Sequence, residues 1–280
     1  KTIETPDLAD LSVTDKWVLS KVNTLAKDVT ENMDKFELGI ALQKVYDFIW
    51  DVFCDWYIEL AKYRIWHAEE DPKAANAALW TLKTGLGNAL KMLHPFMPFV
   101  SEEIYSALVP EEESLMMSKW PEYKEEWNFE KEEMQVGRMQ EIIRGVRNIR
   151  AEMNVAPSRK AQTIIVCENA DLAAGFEAMK ASAAPLMSAS EIVIQPTKDG
   201  IAEDAVSVVV TDAVVYLPLA DLVDFAAEIE RLEKEEAKLE KELARVNGML
   251  SNERFISKAP QAKIDEEKAK LEKYTQMMEQ

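Results

Sequence analysis

The sequence predicts a mainly α-helical fold in three parts, with a small α+β segment between two helical ones. Apolar residues recur at three- and four-residue spacing through the first half of the chain, which is typical of helices that bury one face. Short β-type runs follow Pro157, and a heptad pattern begins near Asp221. We therefore expect a helix bundle over residues 1–156, a small α+β connecting domain over 157–220 and an antiparallel coiled-coil hairpin over 221–280.

The bundle is predicted to hold four or five helices. The segment HPFMPF ends the third helix, because proline lacks an amide donor. A short helix is expected to begin near Pro98 and to include Ser101–Val109, and a longer one is expected from about Asn128. Candidate N-terminal caps are Thr14 and Asp15 for the first helix, Asp34 for the second, and Asp71 with Pro72 for the third. Core positions are expected along the second helix at Phe36, Ile40, Val45, Phe48, Ile49, Val52, Trp56, Leu60 and Tyr63.

The connecting domain is predicted from β-branched runs. Strands are expected at Ala161–Cys167 and Ile192–Ile194, on either side of a helical stretch at Asp171–Ser182. The run Ala205–Leu217 divides at Thr211 and Asp212, which indicates a β-hairpin.

The last segment is predicted to be a coiled coil. Its apolar residues alternate by four and three, with Glu236 in one expected apolar slot, and Glu, Lys and Arg fill the positions between them. The segment SNERFISKAP interrupts the pattern, and Pro260 is well placed to start a return helix. We interpret the unit as an antiparallel hairpin. A homodimeric zipper stays open, because periodicity does not distinguish an internal partner helix from an external one.

The composition limits the possible functions. The chain has 280 residues and a formal net charge of -18, so its average field repels nucleic acid and anionic lipid. Two cysteines and two histidines form neither a disulfide framework nor a zinc-binding spacing, and we expect a cytoplasmic setting without a metal site. The chain contains no apolar run of membrane-spanning length and no recognisable targeting peptide. Because it does not begin with Met, we expect a fragment.

The run RGVRNIRAEMNVAPSRK reverses the sign of the charge locally. Arginine recurs every third residue, at Arg144, Arg147 and Arg150. Between Arg138 and Lys160 the sequence contains six basic residues and two acidic ones. Arginine can bind phosphates through two hydrogen bonds and stack on exposed bases, so the stripe predicts a contact with RNA. A solvated helix face paired with carboxylates is the alternative interpretation.

The sequence contains no recognisable catalytic constellation. The two histidines lie in apolar or boundary contexts, which do not support a Ser-His-Asp triad. We interpret His94, which precedes a proline, as a structural residue. Eight glycines in the whole chain do not build a phosphate-binding loop. The segment MMSKW is interpreted as a connection whose Trp120 packs on the bundle.

Five strings in this order carry a family resemblance: DKWVLSKVN, KFELGIALQKVYDFIWDVFCDWYIELAK, LHPFMPFVSEEIY, VRNIRAEMNVAPSRK and NERFISKAP. They resemble the C-terminal part of the bacterial valyl-tRNA synthetases, which are class Ia valine-tRNA ligases. The bundle strings alone would fit several class Ia synthetases, whereas the hairpin with ERFISKAP at its turn is more specific to the valyl enzymes. Departures are Tyr105 where Trp is frequent and Ala156 where Pro is frequent.

The resemblance implies an anticodon-binding helix bundle and a coiled-coil arm that contacts the outer corner of tRNA(Val). A catalytic core elsewhere would attach valine using ATP and Mg²⁺, in a monomeric parent enzyme with no membrane contact. The HIGH and KMSKS signatures do not occur in this sequence, so we expect no cofactor, no catalytic residue and no valyl-adenylate formation in this fragment.

Candidate tRNA-binding residues follow from the resemblance together with the basic stripes. In the bundle they are Lys16, Trp17, Lys21, Arg144, Arg147, Asn148 and Arg150; in the arm they are Arg231, Lys238, Arg245, Arg254 and Lys258. The alternatives are core packing for Trp17, solvated charge for each lysine, and bracing of the connecting domain for Arg150. Two other functions stay open: the same region of an isoleucyl synthetase, and a scaffold protein whose arm recruits a protein partner.

Overall fold

The computed structural model describes residues 3–222, 225–252 and 260–278, and for 225–232 the backbone alone. The chain divides into two compact units, Lys1–Leu222 and Val223–Gln280. The bundle and the α+β segment therefore belong to one unit, and the domain boundary expected at residue 156 stays a prediction. Within the described segments, no helix combines the length and hydropathy needed to cross a bilayer.

The first unit begins with a bundle of helices, which confirms the mainly α-helical prediction. Their bounds are α1 Val13–Asp34, α2 Leu38–Asp47, a π-helical segment Phe48–Tyr57, α3 Ile58–Trp66, α4 Pro72–Leu93, α5 Pro98–Leu108 and α6 Glu130–Glu152. The short helix predicted to begin near Pro98 does begin there, because proline suits the first turn of a helix, and it ends at Leu108. Trp120 packs on the bundle as predicted, with Nε1 donating to Thr30 Oγ1 over 2.9 Å.

Two predicted helix caps are wrong. The cap of α1 is Ser12, whose side chain accepts from the amide of Asp15 while the Asp15 carboxylate accepts from the amide of Ser12. Asp34 ends α1 instead of starting α2, because Phe36 adopts a left-handed conformation with φ 58° that terminates the helix. The third prediction is confirmed, since the side chain of Asp71 accepts from the amide of Ala74 at the start of α4.

The segment from α2 to α3 is one continuous helix with a π-helical middle. Val45, Phe48, Trp56 and Leu60 are buried as predicted. Phe36 is 87% exposed, because it lies in the turn before the helix and not on its core-facing side. The other predicted core positions that are exposed are Ile40 and Tyr63. A single pattern of 3.6 residues per turn loses its register across a π-helical segment, because a π-helix has more residues in each turn, so positions before and after that segment do not all share one face.

A buried ion pair joins α1 to α3. The carboxylate of Asp15 is fully buried and receives two hydrogen bonds from Arg64. The hydroxyl of Tyr57 donates to the same carboxylate over 2.6 Å. These contacts fix the two helices against each other near the start of α1.

The α+β segment forms a four-stranded mixed sheet with strand order β2-β1-β4-β3. The elements are β1 Ala161–Val166, α7 Ala170–Ala183, β2 Ala189–Gln195, β3 Val206–Val210, β4 Ala213–Leu217 and the short helix α8 Leu219–Leu222. The predicted hairpin is confirmed, with Asp212 in a left-handed conformation at φ 63° in its turn. β3 is one of the two edge strands and packs against α6, where a Cβ on Gly145 would lie 2.6 Å from Val208 Cγ1.

The second unit is a pair of contacting helices, α9 Phe225–Leu250 and α10 Gln261–Met278. Residues 251–260 connect them. Val246, near the end of α9, and Ile264, near the start of α10, are buried, and so is Glu267. Burial at the adjoining ends of two contacting helices fits the predicted antiparallel hairpin.

Candidate nucleic-acid interface

The helix α6 carries both a buried face and an exposed polar face. Its first turn contains three glutamates, which is favourable at the positive end of the helix dipole. Val136, Met139, Ile142 and Val146 are buried along one side. The arginines that the sequence singled out lie on the opposite side and at the C-terminal end, and the structure gives them three different environments.

Arg144 is exposed and its guanidinium lies over the ring of Trp56, 5.1 Å from the centroid. Asn148 is exposed one helical turn further on. Both residues line a groove of about 780 Å³ between α6 and the edge strand β3. An arginine held by an aromatic ring keeps its hydrogen-bond donors free for a phosphate or a base edge. The structure thus brings Arg144 and Asn148 together on an accessible surface.

Arg147 is also exposed, and its Nε donates to the backbone oxygen of Leu186 over 2.6 Å. Leu186 belongs to the turn that follows α7, so this hydrogen bond links the bundle to the α+β segment. The contact holds the guanidinium in place while the side chain stays at the surface.

Arg150 is only 6% exposed. Its Nη2 donates to the backbone oxygens of Ala156 at 3.2 Å and Arg159 at 2.5 Å. Burial lowers the pKa of the Arg150 guanidinium. A side chain buried in this way does not make the direct RNA contact predicted for Arg150. Its hydrogen bonds to Ala156 and Arg159 fit the alternative, in which Arg150 braces the connecting domain.

The three candidates on α1 lie against α6. Trp17 is 3% exposed and belongs to the core, so its predicted role at the RNA surface is not supported. Lys16 lies 3.5 Å from a carboxylate oxygen of Glu132, and Lys21 pairs with Glu133. These two lysines are half-buried and neutralised by α6, which weakens the case for either as a phosphate contact.

The arm presents a cationic stripe along α9. Lys234, Lys238, Lys241 and Arg245 follow one another at spacings of four, three and four residues, and all four are exposed. Arg245 pairs within its own helix with Glu242 at 2.8 Å. Lys238 and Lys241 have no ion pair among the residues that the structure describes. The side chain of Arg231, and Arg254 and Lys258 as a whole, lie outside the described residues.

Sequence reasoning missed two features of this surface. It assigned Trp56 only to the core, whereas the ring also supports Arg144. It also missed the groove, because the groove joins α6 to a strand some sixty residues later in the chain. The signal that could have indicated it is Gly145, a glycine inside a helical pattern, which permits the close approach of Val208.

The chemistry available here is recognition through charge and hydrogen bonding. In residues 3–222, 225–252 and 260–278, no group of three or more His, Cys, Asp or Glu side chains is arranged to hold a metal ion. His94 contacts Ser101 Oγ at 2.8 Å, which fits the structural role predicted for it.

Two family descriptions match the chain. Residues 15–165 match the family described as anticodon-binding domain of tRNA ligase, and residues 224–280 match the one described as valyl tRNA synthetase tRNA binding arm. The chain is 49% identical to a valine-tRNA ligase of Clostridium perfringens, 48% to one of Clostridium tetani and 40% to one of Oceanobacillus iheyensis. Each match covers 98% of this chain and 31% of the relative.

The chain thus spans about a third of the length of the curated relatives that it matches. More than half of its residues lie within the first family match, and that match includes nearly all of α1, the whole of α2 to α6 and nearly all of β1. The chain therefore belongs to the family of anticodon-binding domains of tRNA ligases.

Proposed function

We propose that this chain is the tRNA-recognition region of a valine-tRNA ligase. It would bind the anticodon region and the outer corner of tRNA(Val), while a catalytic core outside this chain attaches valine. The observation that carries the proposal is the position of the exposed cations. They lie on α6, within the anticodon-binding match, and on α9, within the match to the tRNA-binding arm.

The arm would contribute affinity through phosphates. Lys234 and Arg245 are eleven residues apart on α9, which corresponds to about 16 Å along the helix. A stripe of that length can follow several successive phosphates of a folded RNA. Each neutralised phosphate releases counterions, so the binding free energy should depend strongly on salt. This local positive surface is needed because the whole chain carries a net charge of -18.

The bundle would contribute orientation. Arg144 over Trp56 and the neighbouring Asn148 carboxamide face an open groove. Unpaired loop bases expose their edges and faces, and arginine and amide side chains recognise both. The anticodon loop of a tRNA is single-stranded, which suits this combination of donors.

ATP and Mg²⁺ would bind in the part of the enzyme outside this chain, and no catalytic step is assigned to the residues described here. We further propose a cytoplasmic location and a monomeric parent enzyme. An isoleucyl synthetase region and a coiled-coil scaffold remain the competing functions. The identity to valine-tRNA ligases and the match of residues 224–280 to the valyl arm favour the valyl reading over both.

The test is a titration of the chain with tRNA for valine and tRNA for isoleucine, followed by fluorescence anisotropy at several salt concentrations. We expect tighter binding of the valine tRNA, with log affinity falling against log salt by about 0.7 to 0.9 for each phosphate contact. Equal binding of both tRNAs with a flat salt response would rule the proposal out. A preference for the isoleucine tRNA would favour the sister enzyme.

The scaffold alternative is tested by sedimentation. It predicts self-association of the chain, or a protein ligand, together with indifference to either tRNA. A monomer that sediments as a complex only in the presence of tRNA contradicts it.

A further inference from the structure

A second groove lies at the C-terminal end of α6, on the side facing the turn after α7. Its volume is about 510 Å³, and its polar lining includes Arg147, Arg150, Asn154 and Ser188. None of its lining residues is acidic. The groove between α6 and β3, by comparison, is lined by Glu141 and Glu152 as well as by Arg144. In a chain with a net charge of -18, a pocket walled by two arginines without a carboxylate is an unusual local environment.

Arg150 is the strongest feature of this groove. Arg150 can be compared with Arg64, an arginine of the same unit whose side chain is 12% exposed. For Arg64, burial acts to lower the pKa, but the hydrogen bonds and charge of Asp15 outweigh it and the pKa is raised. For Arg150, burial alone acts, and no carboxylate compensates the charge. Its Nη1 is buried and has no hydrogen-bond partner among the described residues.

A buried cation without a counter-charge is unfavourable, because the protein interior screens its field poorly. The carbonyl oxygens of Ala156 and Arg159 solvate one side of the guanidinium, yet dipoles do not cancel a net charge. An anion in the groove that Arg150 lines would relieve this imbalance. The structure therefore favours occupation of the groove by a negatively charged group.

Arg147 is positioned to bind that group directly. Its Nε is engaged by Leu186, which fixes the plane of the guanidinium beside the groove. Within the described part of the chain this is the hydrogen bond that Arg147 makes, so its terminal nitrogens remain donors. A fork of donors held in one orientation suits a tetrahedral oxyanion, to which arginine donates two parallel hydrogen bonds.

We propose that the groove at the end of α6 is an oxyanion site that takes a phosphate group, with Arg147 as its ligand and Arg150 as the buried charge that favours it. Asn154 and Ser188, which line the same groove, would supply further donors. The phosphate could belong to an RNA backbone or be free inorganic phosphate. An RNA backbone as the origin of the phosphate rests on the proposed function, whereas the oxyanion site itself does not.

The test observes the Nε–Hε resonance of Arg147 by ¹H–¹⁵N NMR. Its hydrogen bond to Leu186 protects this proton from rapid exchange, and its signal is assigned by its loss in Arg147→Gln. Inorganic phosphate is titrated into the full chain, with sodium chloride at equal ionic strength as the reference. We expect a saturable shift with phosphate and none with chloride. Because Arg147→Gln lacks this signal, phosphate binding by the variants is followed through the backbone amide signals of Asn154 and Ser188, which line the groove. Arg147→Gln should weaken binding about tenfold or more, because a charge-assisted hydrogen bond is removed.

Arg138→Gln is the matched control, since it removes an arginine of the same helix that pairs with Glu141 and Asp212 and does not line this groove. It should leave phosphate binding unchanged. A shift of equal size with chloride, or equal losses in both variants, would show a general response to ionic strength and overturn the site. Arg150→Gln serves as a second variant, provided that its circular dichroism spectrum matches the parent; it should also lose the phosphate response.

A parallel titration with tRNA for valine separates the two sources. A shift of the Arg147 signal by both ligands supports a phosphate of the bound RNA. A shift with inorganic phosphate alone, while anisotropy reports RNA binding, supports the site and assigns it to the free ion. If RNA binds but neither ligand moves the signal, the oxyanion site is wrong and the proposed function stands. An absence of RNA binding by anisotropy counts against the proposed function and leaves the phosphate result unaffected.

Discussion

The guanidinium of Arg64 holds both carboxylate oxygens of Asp15, with Nη1 2.5 Å from Oδ2 and Nη2 2.7 Å from Oδ1. Asp15 comes from the first turn of α1 and Arg64 from α3, so the pair ties together two helices that are 49 residues apart in sequence. Asp15 also completes the capping box with Ser12. One buried carboxylate therefore starts a helix and joins it to its neighbour.

Replacing one partner of this pair should destabilise the bundle strongly. Arg64→Met leaves the Asp15 carboxylate buried without its counter-charge, and we expect the free energy of unfolding to fall by about 3–5 kcal/mol. Urea denaturation followed by circular dichroism measures the change. Arg144→Met should lose much less, because Arg144 is exposed and has no carboxylate partner in the described part of the chain. Equal losses in the two variants would contradict a special role for the buried pair.

The stability of the first unit should fall above about pH 10 through Tyr57. Burial, and next the negative charge of Asp15, raise the pKa of Tyr57 well above its ordinary value. The unfolded chain releases the phenol proton near pH 10 while the folded protein retains it. The unfolded state then binds fewer protons, so the free energy of unfolding decreases as pH rises through this range.

The measurement compares the free energy of unfolding at pH 9 and pH 11 for the parent chain and Tyr57→Phe. The variant should be less stable at pH 9, because it lacks the hydrogen bond to Asp15, but it should lose less between the two pH values. Lysines and exposed tyrosines titrate alike in both proteins and cancel in the difference. Identical pH dependence of the two chains would show that Tyr57 does not contribute.

Two glycines in α6 should respond to alanine in opposite directions. A Cβ at Gly145 would lie 2.6 Å from Val208 Cγ1, so Gly145→Ala must push β3 away from the helix. We expect a loss of about 1–3 kcal/mol from overpacking. A Cβ at Gly137 meets nothing within 4 Å, so Gly137→Ala should gain about 0.5–1 kcal/mol through helix propensity. Thermal or urea unfolding of the two variants measures both effects, and a gain at Gly145 would contradict the close packing described here.

The exposed lysines of α9 should control RNA affinity and its salt dependence. Lys238→Glu combined with Lys241→Glu should weaken binding of tRNA for valine, and the slope of log affinity against log salt should decrease by about 1.5. The helical content should not change, because both side chains are exposed.

The matched control for this double variant is Lys268→Glu with Lys273→Glu on α10. Both of these lysines are exposed, and the substitutions change the net charge by the same amount. Anisotropy titrations of both variants distinguish a specific surface from an average field. If the α10 variant weakens binding as much as the α9 variant, the stripe on α9 has no special role.

Several elements followed from local sequence. Asp71 and Pro72 start α4 because a capping side chain and a proline without an amide donor suit the first turn of a helix. The turn at Thr211 and Asp212 was predictable because two polar residues between two β-branched runs are typical of a hairpin turn. Both features depend on interactions within a few residues, which a sequence displays directly.

Other predictions failed where distant residues decide. For Trp17, the sequence left both core packing and an RNA contact open. Packing against the rest of the bundle buries the side chain, as the core alternative requires. Phe36 belongs to an apolar stripe by spacing, yet the left-handed turn places it outside the helix. The three-residue repeat of Arg144, Arg147 and Arg150 predicted a common stripe that contacts RNA, with bracing of the connecting domain as the alternative for Arg150. Trp56, Leu186 and the loop at Ala156 instead give each arginine a separate partner.

The sequence by itself determined the mainly helical class, the sheet hairpin, the heptad helices and the family to which the chain belongs, because periodicity and motif order are properties of the linear chain. Only the tertiary structure decided which cations are accessible. Glu132 and Glu133 neutralise Lys16 and Lys21 across a helix contact, whereas Lys238 and Lys241 remain exposed. Burial and pairing depend on neighbours brought together by folding, and a charge pattern along the sequence does not contain that information.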